Sequence, residues 1–169
     1  MYSSVLMRAI QKAEQRTGGL ETPLPVSVLQ RPPRPEECNF RLLRYDATGL
    51  PLLFEKGEIS RIYLNFSDPW PKDRHADRRL TSGRFLARYE EVLPHGGGLV
   101  FKTDNRGLFE YSLEQIRERG WTLRFQSFDL HEAEEEKHTV SGAETILTEY
   151  EEKFVAAGKP ICMLEAACP

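Results

Sequence analysis

A carboxylate, a proline and a tryptophan stand together in the middle of this chain, shortly after an apolar segment. The segment, residues 61–66, has the composition of a buried strand, and Asp68, Pro69 and Trp70 follow it. Because Pro69 has no amide hydrogen and restricts the residue before it, the chain must turn here and present Trp70. A carboxylate beside an aromatic face suits a flat heteroaromatic ligand, which can stack on the ring while its polar edge is hydrogen-bonded.

A basic cluster follows this turn and could hold the phosphates of such a ligand. Its members are Lys72, Arg74, His75, Arg78 and Arg79. The same residues could instead form a solvated helix face with Asp73 and Asp77 as partial counter-charges, and Trp70 could be a core or hinge aromatic. The net charge of −3 argues against a wholly basic nucleic-acid binder, so binding to nucleic acid would depend on this local cluster.

The elements that position these residues alternate between strand and helix along the chain. Strands are predicted over residues 40–45, 61–66, 98–102, 121–129 and 160–166. Helices are predicted over residues 3–16, 80–93, 107–119 and 145–157, with a short helix or turn over 50–55. A proline-rich insertion over 19–38 and an acidic loop over 130–142 interrupt the pattern. The alternation predicts one α/β domain over residues 1–169, with a parallel sheet and covering helices.

Three of the predicted strands are followed by an aspartate. Asp46, Asp68 and Asp104 would therefore lie at the same edge of one sheet, where open α/β sheets bind their ligands. An aspartate in such a position is also a common helix cap or turn former, so Asp46 or Asp104 alone could have either role. Asp68 differs because the proline, the tryptophan and the basic cluster accompany it.

Other residue types argue against several classes of protein. Cys38, Cys162 and Cys168 are widely separated, without the spacing of a zinc site or a disulfide framework. His75 and His95 have no second nitrogen or sulfur ligand at metal spacing, so no metal site is expected. The first 16 residues lack the continuous apolar run of a signal peptide or membrane span. We therefore expect a cytoplasmic protein without membrane contact.

Three segments of the chain carry a resemblance to a known family. They read NFSDPWPKDRHADRRLT, GGGLVFKTDNRGLFEYSLEQI and ILTEYEEKFVAAGKPI. Together they resemble the bacterial tRNA (guanine-N7-)-methyltransferases, which implies a Rossmann-like sheet, S-adenosylmethionine as cofactor and tRNA as partner. The resemblance also implies that Asp46 contacts the adenine end of the cofactor and that Asp68 lies at both the cofactor and the target base. The substrate-binding positions that it implies are Lys72, Asp104, Thr148, Glu149, Tyr150 and Glu151.

Methyl transfer to guanine N7 fits these residue types. N7 already carries an in-plane lone pair, so transfer from a sulfonium needs no deprotonation and can be driven largely by alignment. Methylation makes the base cationic, and a carboxylate that accepts hydrogen bonds from its N1 and N2 edge would stabilise the growing charge. Asp68 is the candidate catalytic residue, acting either electrostatically or as a base. Trp70 would shape the turn or stack, and Lys72 would anchor a phosphate.

The beginning of the chain departs from the pattern of this family. Family members carry a first strand with a glycine-rich loop, a helix and a second strand before the segment that corresponds to Ser3 and Ser4. None of the 12 glycines here forms G-x-G ahead of a helix. We therefore expect a class I methyltransferase sheet that lacks its first two strands, an incomplete cofactor site and an open edge at residues 61–66. We expect such an edge to pair in parallel with strand 40–45, which is the favoured outcome, or with a second copy of the chain, which would give a homo-oligomer or aggregation.

Two hypotheses from different classes follow. In the first, the chain is a shortened tRNA methyltransferase, and a glycine-rich segment upstream of Met1 would restore the enzyme. In the second, it is a non-catalytic RNA-binding or protein-interaction remnant that keeps the basic cluster but has lost the cofactor. We favour the first hypothesis, and we expect little activity from these 169 residues alone.

Overall fold

The computed structural model describes residues 45–131 and 147–169. All of them belong to one compact unit that begins at Tyr45. Four of the sequence predictions fall wholly or largely outside these ranges. They are the helix over 3–16, the proline-rich insertion over 19–38, the strand over 40–45 and the acidic loop from residue 132 onward.

The described residues form four strands, four α-helices and two 3-10 helices. The strands are β1 (Arg61–Asn65), β2 (Gly98–Thr103), β3 (Thr122–Ser127) and β4 (Cys162–Ala167). The α-helices are α1 (Leu50–Leu53), α2 (Gly83–Val92), α3 (Arg106–Glu118) and α4 (Glu149–Ala156). The 3-10 helices are Ala47–Gly49 and Asp73–Arg78. Every helix and strand predicted within these ranges is confirmed, with ends that differ by a few residues. Each helix in these ranges is too short or too polar to cross a membrane.

The four strands form one mixed sheet in the order β1-β2-β4-β3. β1 runs parallel to β2, with Asn65 opposite Lys102. β4 lies between β2 and β3 and is antiparallel to both, so that Thr103 at the end of β2 faces Cys162 at the start of β4. The α/β class is confirmed, whereas the expectation of a wholly parallel sheet is wrong for β4.

The helix before β4 explains the direction of that strand. For a strand to be parallel to β2, the connection before it must return from the carboxyl ends of the strands to their amino ends. α4 has only 8 residues, about 12 Å at 1.5 Å per residue. Tyr150 in its first turn packs against Phe66, the residue after β1. Because α4 remains beside the carboxyl ends of β1 and β2, β4 enters the sheet from that edge and runs back.

Helices and loops cover both faces of the sheet, and the alternation of side chains along β2 divides the core in two. Leu99 and Phe101 pack with residues of α2 and α3, among them Phe109. Val100 packs on the other face, where Met163 of β4 is a neighbour. Every residue of β2 and β4 is buried. These two strands therefore form the buried centre of the sheet.

β1 is the outer strand of the described sheet and is less buried than its sequence predicts. Leu64 alone among its five residues is buried, and Tyr63 is 49% exposed. The prediction of a buried strand is therefore wrong for most of β1. The reason is that, within residues 45–131 and 147–169, β1 pairs with β2 on one side only. Its expected second partner, strand 40–45, lies outside those residues.

Candidate functional site at the carboxyl edge of the sheet

Asp68 lies on a strained turn that follows β1. Phe66 and Trp70, on either side of it, have φ angles of 53° and 42°, in the left-handed region that side-chain-bearing residues seldom adopt. Each such conformation costs on the order of 1–3 kcal/mol, so the surrounding structure must hold it in place. The side chain of Asp68 is exposed, and no described residue donates a hydrogen bond to its carboxylate. The turn thus presents an exposed carboxylate.

Arg79 fastens this turn through backbone carbonyls. Its Nε donates to the carbonyl oxygens of Pro69 and Trp70 at 3.1 and 3.3 Å, and its Nη2 donates to that of Trp70 at 3.1 Å. The guanidinium carbon also lies 4.3 Å from the centre of the Tyr111 ring on α3. Arg79, which the sequence predicted as a phosphate contact, therefore has a guanidinium committed to the backbone around Asp68.

Replacing Arg79 by methionine is expected to destabilise the protein by about 2 kcal/mol, because two partly buried carbonyl groups lose a charged donor. Urea unfolding followed by circular dichroism measures this loss. Arg78→Met is the matched control, since Arg78 lies above the Trp70 ring and is expected to contribute less than about 1 kcal/mol. Equal losses for the two variants would show that Arg79 does not fasten the turn.

Two other members of the basic cluster, His75 and Arg78, contact the ring of Trp70. The guanidinium carbon of Arg78 lies 5.0 Å from the centre of the indole ring, and His75 meets that ring edge-on at 5.7 Å. The 3-10 helix that carries His75 and Arg78 begins directly after Lys72. Lys72, Arg74 and Arg78 are exposed, whereas Trp70 is half-buried. Trp70 therefore supports a positively charged surface next to the exposed carboxylate.

Asp104 follows the neighbouring parallel strand, β2, and is exposed at the same edge of the sheet. The next residue, Asn105, caps α3, because its Oδ1 accepts a hydrogen bond from the Leu108 amide at 2.8 Å. The Asn105 amide itself donates to Thr103 Oγ1 at 3.1 Å. Since Asn105 is the cap, the carboxylate of Asp104 is not used for capping. The structure places Asp68 and Asp104 after adjacent parallel strands, as the sequence predicted.

The N-terminus of α4 lies at this edge as well. Thr148 and Glu151 form a capping box, in which Thr148 Oγ1 accepts from the Glu151 amide at 3.1 Å and Glu151 Oε2 accepts from the Thr148 amide at 3.3 Å. Between them, the Tyr150 ring lies 4.7 Å from the ring of Phe66. Burial and the nearby charge of Asp104 raise the pKa of the Tyr150 hydroxyl. Tyr150 and Phe66 therefore meet at this edge of the sheet.

Glu151 points into the protein, unlike the other residues at this end of α4. Its side chain is fully buried, and both carboxylate oxygens lie 3.1 Å from Nζ of Lys102 on β2. Glu149 is partly exposed and lies 3.6 Å from Lys153 on the same helix. The sequence prediction placed Glu151 among substrate-binding positions and missed Lys102. A lysine inside the apolar run of β2 was the available signal, because buried lysines require a partner.

Asp46 begins the 3-10 helix Ala47–Gly49. Its Oδ1 accepts hydrogen bonds from the amide and hydroxyl of Thr48 at 2.9 and 2.8 Å. These bonds, the backbone one first, hold the pKa of the Asp46 carboxyl below its usual value, and Arg84 on α2 acts in the same direction through space. Asp46 is exposed. The sequence allowed Asp46 to be either a ligand contact or a helix cap, and the structure shows the cap. Its second oxygen, Oδ2, accepts no hydrogen bond from the described residues.

Thiol and metal-binding groups contribute little to this edge. Cys162 and Cys168 are buried free thiols, and burial raises the pKa of Cys162 to about 11. A thiol with so high a pKa is a poor nucleophile at neutral pH. Across residues 45–131 and 147–169 there is no group of three or more side chains that could hold a metal ion. The carboxylates and the basic cluster are therefore the reactive features of the site.

Known proteins are similar to this chain over most of its length. A family model described as "Putative methyltransferase" matches residues 2–164. A Lachnoclostridium phytofermentans protein named tRNA (guanine-N(7)-)-methyltransferase is 48% identical over 165 residues, which are 98% of this chain and 65% of that protein. A Bacillus subtilis protein of the same name is 51% identical over 140 residues, which are 83% of this chain and 62% of that protein. The chain thus spans less than two thirds of either relative.

Among solved structures, a SAM dependent methyltransferase from Archaeoglobus fulgidus is similar, with a TM-score of 0.44 and 11% identity. The similarity covers 76% of this chain and 68% of that one.

Proposed function

The chain belongs to the methyltransferase family whose model matches residues 2–164, and from this premise we propose that it methylates N7 of a guanine in the variable loop of tRNA. S-adenosylmethionine would be the methyl donor. The two relatives that carry the name of this activity support the proposal. The structural observation that carries it is the exposed carboxylate of Asp68, held on a strained turn beside the basic cluster. A tRNA substrate also implies a cytoplasmic location.

Asp68 would act on the guanine through hydrogen bonds. A carboxylate can accept from the N1 and N2 groups of a guanine while N7, on the other side of the base, stays free to react. As N7 gains its substituent the ring becomes cationic, so the interaction with a fixed negative charge strengthens towards the transition state. Because Arg79 holds the carbonyls on the carboxyl side of Asp68, the carboxylate is positioned before the base arrives.

The surface around Trp70 would bind the RNA backbone. Lys72, Arg74 and Arg78 are exposed and lie on one short segment directly after the turn. Contacts between such cations and phosphates orient an RNA without reading its sequence. The base would then reach Asp68 from a backbone already held by the neighbouring residues.

The described residues fit part of the proposed cofactor. S-adenosylmethionine supplies an electrophilic methyl group on a sulfonium when it is bound. Oδ2 of Asp46 accepts no hydrogen bond from the described residues and could accept one from an adenine amino group. Asp68 would be the second contact to the cofactor, as the family resemblance implies. No glycine-rich loop opens a helix within residues 45–131 and 147–169, so we assign these residues only a share of the binding site.

The proposed function is tested by incubating the protein with unmodified tRNA and labelled S-adenosylmethionine and mapping the product. Two forms are compared, the 169-residue chain and the same chain preceded by the part of the Lachnoclostridium phytofermentans relative that comes before the matched region. This second form is called the extended protein below. 7-Methylguanosine in the variable loop would support the proposal. Binding of tRNA without methylation by either form would favour the non-catalytic remnant.

Lys72→Ala is expected to weaken tRNA binding uniformly and to reduce the slope of log K against log salt by about 0.8, as the loss of one phosphate contact does. Filter binding at several salt concentrations measures both. Lys56→Ala is the matched control, since Lys56 precedes β1 at the opposite edge of the sheet and its Nζ donates to Glu90 O. An unchanged slope for Lys72→Ala would remove this residue from the phosphate-binding surface.

A further inference from the structure

One buried carboxylate joins three separate parts of the chain. Both oxygens of Glu151 on α4 lie 3.1 Å from Nζ of Lys102 on β2. Oε1 also lies 3.1 Å from Nε2 of His131, which follows β3, and Oε2 accepts from the amide of Thr148. The side chains of Lys102 and Glu151 are 3% and 0% exposed, and that of His131 is 28% exposed. Glu151 therefore connects β2, the segment after β3 and the helix N-terminus.

Stability alone does not account for this arrangement. Removing two charges from water costs several kcal/mol per ion, and apolar residues of similar volume often replace a buried ion pair without loss of stability. Displacing the elements that carry such a pair would, however, separate its charges within the protein interior, which is costly. The pair is therefore suited to fixing the position of α4 on the sheet.

α4 has a particular need for such fixation. It has 8 residues and a single buried one, Glu151, and helices of this length are not stable by themselves. Tyr150 precedes Glu151, and its ring is packed between Phe66 at 4.7 Å and Phe154 at 4.4 Å. Because Tyr150 is adjacent to Glu151 on the same short helix, contacts that fix Glu151 also fix Tyr150.

We propose that Lys102 and His131 are positioning residues, which act through the carboxylate of Glu151 to hold Tyr150 against the end of β1. Their effect on the reaction rests on the proposed function, because Tyr150 lies at the edge where the target base would bind. Their effect on the position of Tyr150 is independent of the proposed function. Glu151 would thus contribute to the alignment of the reacting groups by placing its neighbours and not by touching the substrate.

The position of Tyr150 can be measured in the 169-residue chain labelled with 3-fluorotyrosine, by ¹⁹F NMR. Tyr150→Phe assigns the Tyr150 resonance among the 6 tyrosines. In the parent, ring currents of Phe66 and Phe154 shift this resonance away from its position in urea-unfolded protein. In Lys102→Met/Glu151→Met we expect it to move to the unfolded position, while the melting temperature stays within about 5 °C of the parent.

Arg88→Met/Glu91→Met is the matched control, because it removes an exposed ion pair, 3.0 Å long, from α2 by the same substitutions. It is expected to leave the Tyr150 resonance in place. A folded Lys102→Met/Glu151→Met variant with the parent resonance would overturn the proposal.

His131 provides a second pair of variants that leave the buried ion pair in place. His131→Gln keeps a nitrogen donor close to the position of Nε2, whereas His131→Ala removes it. We expect the alanine variant to move the Tyr150 resonance towards the unfolded position and the glutamine variant to restore it. Identical resonances in the two variants would exclude His131 as a positioning residue, even if the double methionine variant failed to fold.

Turnover of the extended protein separates this proposal from the proposed function. Lys102→Met/Glu151→Met is expected to lower kcat about 10-fold or more with the KM for tRNA changed less than about 3-fold, because the misplaced groups affect alignment. If the extended protein without substitutions is inactive, the proposed function is refuted and the NMR result remains as the test of positioning. An active parent with an equally active double variant would refute positioning alone.

Discussion

Asp68→Asn is expected to lower the methylation rate of the extended protein by about 100-fold or more, while the dissociation constant for tRNA changes less than about 3-fold. Asparagine has nearly the same shape but no charge, so it stabilises less well a base that becomes cationic only as the methyl group arrives. The affinity for tRNA depends on the basic cluster, which this variant leaves in place. Single-turnover kinetics and filter binding measure the two quantities separately.

Asp73→Asn is the control for this substitution. Asp73 starts the 3-10 helix of the basic cluster and is exposed, so the variant removes the same charge from the same surface. Because exposed charges in water interact weakly, the rate should change less than about 3-fold. Near-normal turnover in Asp68→Asn would leave Asp68 with the role of a turn residue.

The extended protein is expected to bind S-adenosylmethionine with micromolar affinity, at least about 100-fold more tightly than the 169-residue chain. The physical reason is the small number of groups that the described residues offer to this ligand. Asp46 and Asp68 are the candidates among them, and both are exposed carboxylates. Isothermal titration calorimetry on the two forms measures the difference.

Folding of the shorter form must be shown before its binding is interpreted. The near-ultraviolet circular dichroism of Trp70 and Trp121, with a cooperative thermal transition, provides this control, since Trp121 is buried in the core. Micromolar binding by the folded 169-residue chain would contradict the expectation of an incomplete cofactor site. It would leave the assignment to the methyltransferase family unaffected, because that assignment rests on the family match over residues 2–164.

The local elements of this protein could be predicted because their signals lie within a few residues. The start of α4 follows from Thr148 and Glu151, three positions apart in a capping box. The turn at Asp68 follows from Pro69, which cannot continue a strand. The joint placement of Asp68 and Asp104 also followed from sequence, because the ends of adjacent parallel strands share one edge of a sheet.

The roles of several charged residues could not be predicted, because sequence shows the charge but not its partner. Arg79 is one of five basic residues within residues 72–79, yet in the structure its guanidinium holds the carbonyls of Pro69 and Trp70. Glu151 looks like part of a polar helix start, and the structure buries it against Lys102. Asp46, by contrast, has the cap role that its position allowed.

Within residues 45–131 and 147–169, the sequence by itself determined the order and approximate bounds of the helices and strands, the turn that presents Asp68 and the basic cluster beside it. These features depend on hydrophobic period, proline and caps, which act over one or two turns of chain. The tertiary structure decided that β4 runs antiparallel between β2 and β3 and that Glu151 meets Lys102 across 49 residues of sequence. Both depend on α4 staying at the carboxyl edge of the sheet. That position is set by packing against distant residues such as Phe66, which no local pattern records.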